Sequence, residues 1–235
     1  TKALEWYNKA ANAGNAAAMN NIGYMYDYGK GVEQDYTKAL EWYNKAANAG
    51  NDTAMNNIGY MYRYGEGVEQ DYTKALEWYN KAANAGNAAP MCNIGYMYGF
   101  SKGVERDYSK ALEWYNKAAN AGDGDAMYSI GYMYDYGKGV EQDYSKALEW
   151  YNKAVNAGND SAMYSIGYMY EYGKGVEQDY SKALEWFKKA ANAGNSAAMN
   201  NIGYMYEFGK GVEQDYTKAL EWYNKAANAG NNVTM

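Results

Sequence analysis

The sequence predicts an all-α solenoid built from stacked helix pairs with a 36-residue period. A block opening TKALEWYNKAANAG recurs, with small changes, at Thr1, Thr37, Thr73, Ser109, Ser145, Ser181 and Thr217, without insertion or deletion. Six full units fit, followed by a partial seventh. A fixed period of this size marks a fold in which no unit buries its apolar face alone, so residues 1–235 are expected to form one continuous stack. Within each block, apolar residues return every three or four positions and glycines punctuate the runs.

The first helix of a unit opens after Asn15, whose side-chain oxygen suits a free N–H of the first turn. Ala18, Ile22, Met25 and Tyr26 keep helical spacing, and Gly29 suits a left-handed stop. The run Gly29-Lys30-Gly31-Val32-Glu33-Gln34 reads as a loop, and Asp35 caps a second helix. Its apolar stripe is Ala39, Leu40, Trp42, Tyr43, Ala46 and Ala47, and Gly50 ends it. Lys38, Glu41, Asn44, Lys45 and Asn48 take the other face, with Glu41 and Lys45 four apart in the favourable order. Each helix is about 13 residues, too short to be stable without tertiary packing. Gly23 recurs inside every first helix, where glycine costs roughly 1 kcal/mol against alanine. Six placements at one register predict that a partner helix comes too close for a Cβ. The Trp column, Trp6 to Trp222, is expected to be core.

Composition excludes several function classes. The 235 residues contain no His, one Cys and one Pro, so His-ligated metal, Cys-ligated zinc and an internal disulfide are absent by arithmetic. A net charge of −6 argues against binding nucleic acid or anionic lipid. Seventeen per cent aromatics argues for a folded chain. No apolar run approaches the roughly 20 residues of a membrane span, so no membrane insertion is expected. Thr1 is not an initiator Met, and the chain reads as a fragment or processed product.

The string Ile22-Gly23-Tyr24-Met25-Tyr26, then Gly29-Lys30-Gly31-Val32, Asp35, Lys38-Ala39, Trp42-Tyr43, Lys45-Ala46-Ala47 and Gly50, resembles the Sel-one-like repeat (SLR) family, a relative of the tetratricopeptide repeats. The resemblance covers essentially the whole chain. It implies antiparallel helix pairs stacked into a right-handed α-solenoid, with the first helix of each pair lining the concave side. It further implies adaptors, receptors and secreted bacterial effectors that bind proteins and are not enzymes. Ser101 departs from the pattern at a loop glycine and predicts a strained or reshaped loop there. One branch of the family carries a disulfide in each unit, which this chain cannot form.

Four columns vary between units, and all lie on first helices. Those at 16 and 17 carry small and polar residues. The next runs Asn20, Asn56, Cys92, Tyr128, Tyr164, Asn200, and the last runs Asp27, Arg63, Gly99, Asp135, Glu171, Glu207. Positions 17, 20, 24 and 27 share a helix face by spacing. The constant column Tyr24, Tyr60, Tyr96, Tyr132, Tyr168, Tyr204 joins them, as does the column Tyr28, Tyr64, Phe100, Tyr136, Tyr172, Phe208. Tyr offers large contact area with few rotatable bonds, and Asn adaptable hydrogen bonds, which suits protein recognition. The resemblance places this face in the concave groove, so the candidate site is a Tyr/Asn-rich groove, acidic in its C-terminal half through Asp135, Glu171 and Glu207. Its expected partner is a protein or extended peptide with basic residues, bound without a cofactor. The plainer alternative is that exposed positions drift and Tyr is merely tolerated.

Other signals are weaker. Glu33 and Asp35 recur, but their spacing is not that of a calcium loop and Asp35 is already a cap. Gly29-Lys30-Gly31 is half a phosphate loop without the strand such a loop follows. Cys92 falls in a groove column with no base near it in sequence. Asn51-Asp52-Thr53 and Asn159-Asp160-Ser161 match a glycosylation sequon by chance in an Asn-rich chain. No paired carboxylates stand out for hydrolysis. The alternative function is structural: both ends lack a polar cap, and apolar ends of this kind stack head-to-tail.

Overall fold

A computed structural model describes residues 1–231. Among the described residues there are thirteen helices and no strand, as the periodicity predicts. The chain divides into two compact units, Thr1–Ala121 and Gly122–Met235. The first holds α1 (Lys2–Asn12), α2 (Ala16–Asp27), α3 (Tyr36–Asn48), α4 (Asp52–Tyr64), α5 (Tyr72–Asn84), α6 (Ala89–Gly99) and α7 (Tyr108–Asn120). The second holds α8 (Gly124–Tyr136), α9 (Tyr144–Asn156), α10 (Ser161–Tyr172), α11 (Tyr180–Asn192), α12 (Ser196–Phe208) and α13 (Tyr216–Asn231). Each repeat is one packed pair: α2 with α3, α4 with α5 and α6 with α7, then α8 with α9, α10 with α11 and α12 with α13.

The caps follow the sequence. Asn15 Oδ1 accepts from the Ala18 N–H at 2.9 Å, and Asp35 Oδ1 from Lys38 N–H at 3.0 Å. The Asp35 carboxylate also pairs with the Lys38 ammonium at 2.8 Å. Gly65, Gly137, Gly173 and Gly209 end their helices in the left-handed region. Ser101 stands at the same register with φ of +55°, so the strain expected of a non-glycine there is present.

The close approach at Gly23 is real, and its cause is a tyrosine. A Cβ on Gly23 would lie 2.6 Å from a ring carbon of Tyr43; on Gly131, 2.7 Å from Tyr151; on Gly167, 2.7 Å from Phe187. These second-helix rings are the core: Tyr43, Tyr79, Tyr151 and Phe187 are fully buried among Ala, Ile and Met. The Trp column is not. Trp42, Trp78, Trp114, Trp150, Trp186 and Trp222 are half-buried, and Trp6 is 68% exposed. Trp78 packs on the preceding repeat's core, and Lys81 covers its ring at 4.1 Å. The indole seals the joint between repeats, because only the residue beside it points straight at the glycine notch.

Candidate functional site

The exposed face of the first helices carries paired aromatic rings. Tyr24 with Tyr28, Tyr60 with Tyr64 and Tyr96 with Phe100 are in ring contact in the first unit, at centroid separations of 4.5, 4.6 and 4.5 Å. Tyr132 with Tyr136, Tyr168 with Tyr172 and Tyr204 with Phe208 do the same in the second, at 4.4, 4.4 and 4.7 Å. The pairs form because the two positions are four apart, one helical turn. Tyr28, Tyr64, Tyr136 and Tyr172 are each about half exposed or more, and Tyr24, Tyr60 and Tyr204 a little over a third.

The variable acid column lies elsewhere. Asp27, Asp135 and Glu171 are 8%, 4% and 3% exposed, so no row of free carboxylates faces solvent there. Spacing grouped Asp27 with Asn20 and Tyr24, but Asp27 is also one turn beyond Gly23. The Tyr43 ring that lies over the glycine therefore brings its hydroxyl to that carboxylate, donating to Asp27 Oδ2 at 3.0 Å. Tyr151 donates to Asp135 at 3.3 Å and Tyr223 to Glu207 at 2.6 Å. Phe187 has no hydroxyl for Glu171. Burial raises the pKa of Asp27, Asp135 and Glu171; the tyrosine bond opposes this at Asp27, Lys174 and Tyr151 at Asp135, and Lys210 at Glu171. Burial pushes the Tyr43 and Tyr151 hydroxyls well up, helped by the adjacent carboxylate. Arg63 replaces the acid in its repeat, donates to Asn93 Oδ1 at 2.6 Å and lies over the Tyr64 and Tyr96 rings.

The Asn column is partly committed to joints between repeats. Asn20 Oδ1 accepts from Asn57 at 3.1 Å. Asn93, the counterpart of Asn57, accepts from Arg63 instead, and Asn56 Oδ1 is buried without a hydrogen-bond partner. The Tyr128 and Tyr164 rings lie against Tyr151 and Phe187, whereas Asn200 is exposed. Cys92 is half-buried.

Sequence reasoning overlooked the loop lysines. Lys30 donates to the Tyr24 hydroxyl at 2.9 Å and sits 4.7 Å from that ring's centre. Lys210 lies over Tyr204 and Tyr180, at 4.7 and 5.3 Å. Gln34 was overlooked too: its side-chain amide donates to the Asp27 carbonyl at 2.6 Å, and Gln70, Gln142, Gln178 and Gln214 repeat this in their own loops. The signal was available, since each recurs in five of the six loops, with Glu66 and Arg106 as the exceptions. No group of acids and Cys among the described residues could hold a metal ion, and no described helix is long and apolar enough to cross a membrane.

The Sel1 repeat family model matches residues 1–15, 16–51, 52–87, 91–123, 124–159, 160–195 and 196–231. The chain belongs to the Sel1 repeat family. A Sel1 repeat protein from Oxalobacter formigenes is 37% identical with a TM-score of 0.87, covering 96% of this chain and 99% of its own. A protective antigen of uropathogenic Escherichia coli with an SLR fold is also 37% identical, with a TM-score of 0.86 over 98% of this chain. This chain spans 49% of that antigen's length. An immunity protein from Pseudomonas aeruginosa, 23% identical with a TM-score of 0.62 over 91% of this chain and 82% of its own, shares the fold. No protein of curated function matches. Sel1 repeat proteins are helical solenoids that act generally as non-enzymatic scaffolds for protein interaction.

Proposed function

We propose that this Sel1 repeat chain binds a protein partner through the paired aromatic rings of its first helices. The observation that carries the reading is the recurrence of those pairs. Six repeats each leave a pair of touching rings partly open to solvent, although apolar surface of this kind is ordinarily covered. Aromatic pairs offer rigid, amphipathic contact area at low entropic cost. Of the variable positions, Arg63 lies over the Tyr64 and Tyr96 rings and Asn200 is exposed, and these two supply polar discrimination. The partner fits as an extended segment, since the rings repeat along the chain rather than converge on one cavity. A net charge of −6 favours one with basic residues.

The test is a Tyr132→Ala/Tyr168→Ala variant. Neither ring belongs to the buried core, so helical content by circular dichroism should match the wild type. A partner isolated on the wild type should bind the variant at least about tenfold more weakly, the loss of one aromatic anchor or more. Unchanged affinity rejects this face.

A second reading is head-to-tail self-association. Trp6 is 68% exposed where Trp42 is half-buried, and Leu220 is 61% exposed where Leu184 is buried. Each is a surface that an adjoining repeat covers elsewhere in the chain.

A further inference from the structure

The repeats contain an internal comparison that differs by one side chain. In the second unit, the Lys174 ammonium lies 5.0 Å from the Tyr168 ring centre, 5.4 Å from Tyr144 and 5.7 Å from Tyr136. It stands 3.7 Å from Oδ1 of buried Asp135, an atom with no hydrogen-bond partner. Three rings and a carboxylate thus enclose one cation, with the ring faces and the acid all favouring positive charge.

The same set recurs 108 residues earlier as Asp27, Tyr28, Tyr36 and Tyr60. There the residue at the lysine position is Glu66. The loop that carries it is built alike in the two places. Glu66 N–H donates to the Met61 carbonyl at 3.0 Å, and Lys174 N–H to that of Met169 at 2.9 Å. Gly67 and Gly175 both have φ of +69°, and a Cβ on either would meet the Cβ of Tyr36 or Tyr144, at 2.5 and 2.7 Å. The rings remain, but among the described residues no lysine lies over Tyr36 or Tyr60: Lys30 reaches only Tyr28, at 5.8 Å, while bonded to the Tyr24 hydroxyl, and Tyr60 is 41% exposed, whereas Tyr168 is half-buried. Burial and the Asp27 charge both push the Glu66 carboxyl above the ordinary range, the mark of an anion without a cation.

We propose that Asp27, Glu66, Tyr28, Tyr36 and Tyr60 receive a lysine side chain from the partner, in the place that Lys174 fills for itself. The inference rests on the reading of this face as a protein-binding surface and names one anchor of that partner. The chemistry recognised is a primary ammonium on a flexible apolar stem, because that is what occupies the duplicate site. The carboxylates hold the charge and the rings cover the stem.

The experiment uses n-butylammonium, a lysine side chain without its backbone, with n-butanol as the neutral control. Tyrosine ring resonances of the full chain are followed by NMR during titration. Wild-type protein should show saturable shifts at Tyr28, Tyr36 and Tyr60, with a dissociation constant on the order of 1–100 mM for a single cation contact. Glu66→Lys, which restores the chain's own ammonium, should weaken this about tenfold or more. Lys174→Glu should create a second saturable site at Tyr136, Tyr144 and Tyr168. Should that variant lose helical content, Lys174→Gln opens the cage without adding charge and should show a weaker form of the same gain. No saturation in the wild type, equal shifts in Glu66→Lys, or the same shifts with n-butanol overturns the proposal. The titration needs no partner, so its failure is separate from failure of the Tyr132/Tyr168 test of the face itself.

Discussion

Single residues decide how much strain each repeat carries. Ser101 holds a left-handed backbone that glycine adopts freely at Gly65, Gly137, Gly173 and Gly209. Ser101→Gly should therefore stabilise the protein by about 1 kcal/mol, read as a raised midpoint in urea. Gly131 is the opposite case. Alanine there gains roughly 1 kcal/mol of helix propensity but drives a Cβ to within 2.7 Å of the Tyr151 ring. Gly131→Ala should still be destabilising, by about 1–3 kcal/mol, because a packed ring cannot retreat. Glu171 is buried without a tyrosine hydroxyl, and its folded pKa lies above the ordinary value of 4.5. The folded state then binds the proton more tightly than the unfolded state, so protonation favours folding. Glu171→Gln should be more stable than wild type at pH 7. That advantage should shrink as pH falls through the folded pKa and vanish below about pH 4.5, when wild-type Glu171 is neutral in both states. A constant difference across that range would show the carboxyl to be solvated.

At the scale of the helix pair, the unit of stability is a ring in a notch. Tyr79→Ala opens a cavity beneath Gly59 and should cost about 3–5 kcal/mol by thermal or urea unfolding. Trp78→Ala should cost clearly less, since the indole is half-buried and its lost contacts lie at a joint between repeats. Equal losses would return the indole to the core. The α10–α11 pair offers the converse test. Phe187→Tyr places a hydroxyl toward Glu171, as Tyr223 does toward Glu207 at 2.6 Å. It should stabilise the fold by about 1 kcal/mol and reduce the benefit of Glu171→Gln made in the same background.

At the scale of the molecule, the surface combines net acidity with rows of aromatic rings. The charge is distributed differently from the expectation drawn from the Asp135, Glu171, Glu207 column. Asp135 and Glu171 are buried and face Lys174 and Lys210, so the acidity expected of their half is largely answered within the chain. Among the described residues Asp27 and Glu66, in the first unit, form no ion pair with a lysine, unlike Asp135 with Lys174. Self-association predicts a sedimentation coefficient that rises with protein concentration and falls when Trp6→Ala and Leu220→Ala remove the open apolar surfaces. A concentration-independent monomer would reject it and leave partner binding as the use of the fold.

The amino-acid sequence by itself determined the helices, their caps and the repeat, because each depends on chemistry within a few residues: Asn15 and Asp35 on the next turn's N–H groups, Gly29 on its own φ. It also disclosed that something approaches Gly23. Only the tertiary structure decided that the visitor is Tyr43 and not Trp42, since neighbouring residues on a helix differ by about 100° and spacing alone allows either to turn inward. The same packing carried Asp27 beneath the rings, because a buried hydroxyl delivered over the glycine is a stronger constraint than membership of a helix face. The aromatic pairs were legible as columns, one turn apart. The lysine that completes one cage and is missing from another was not, because the contact joins residues of adjacent repeats, a distance the local pattern does not encode.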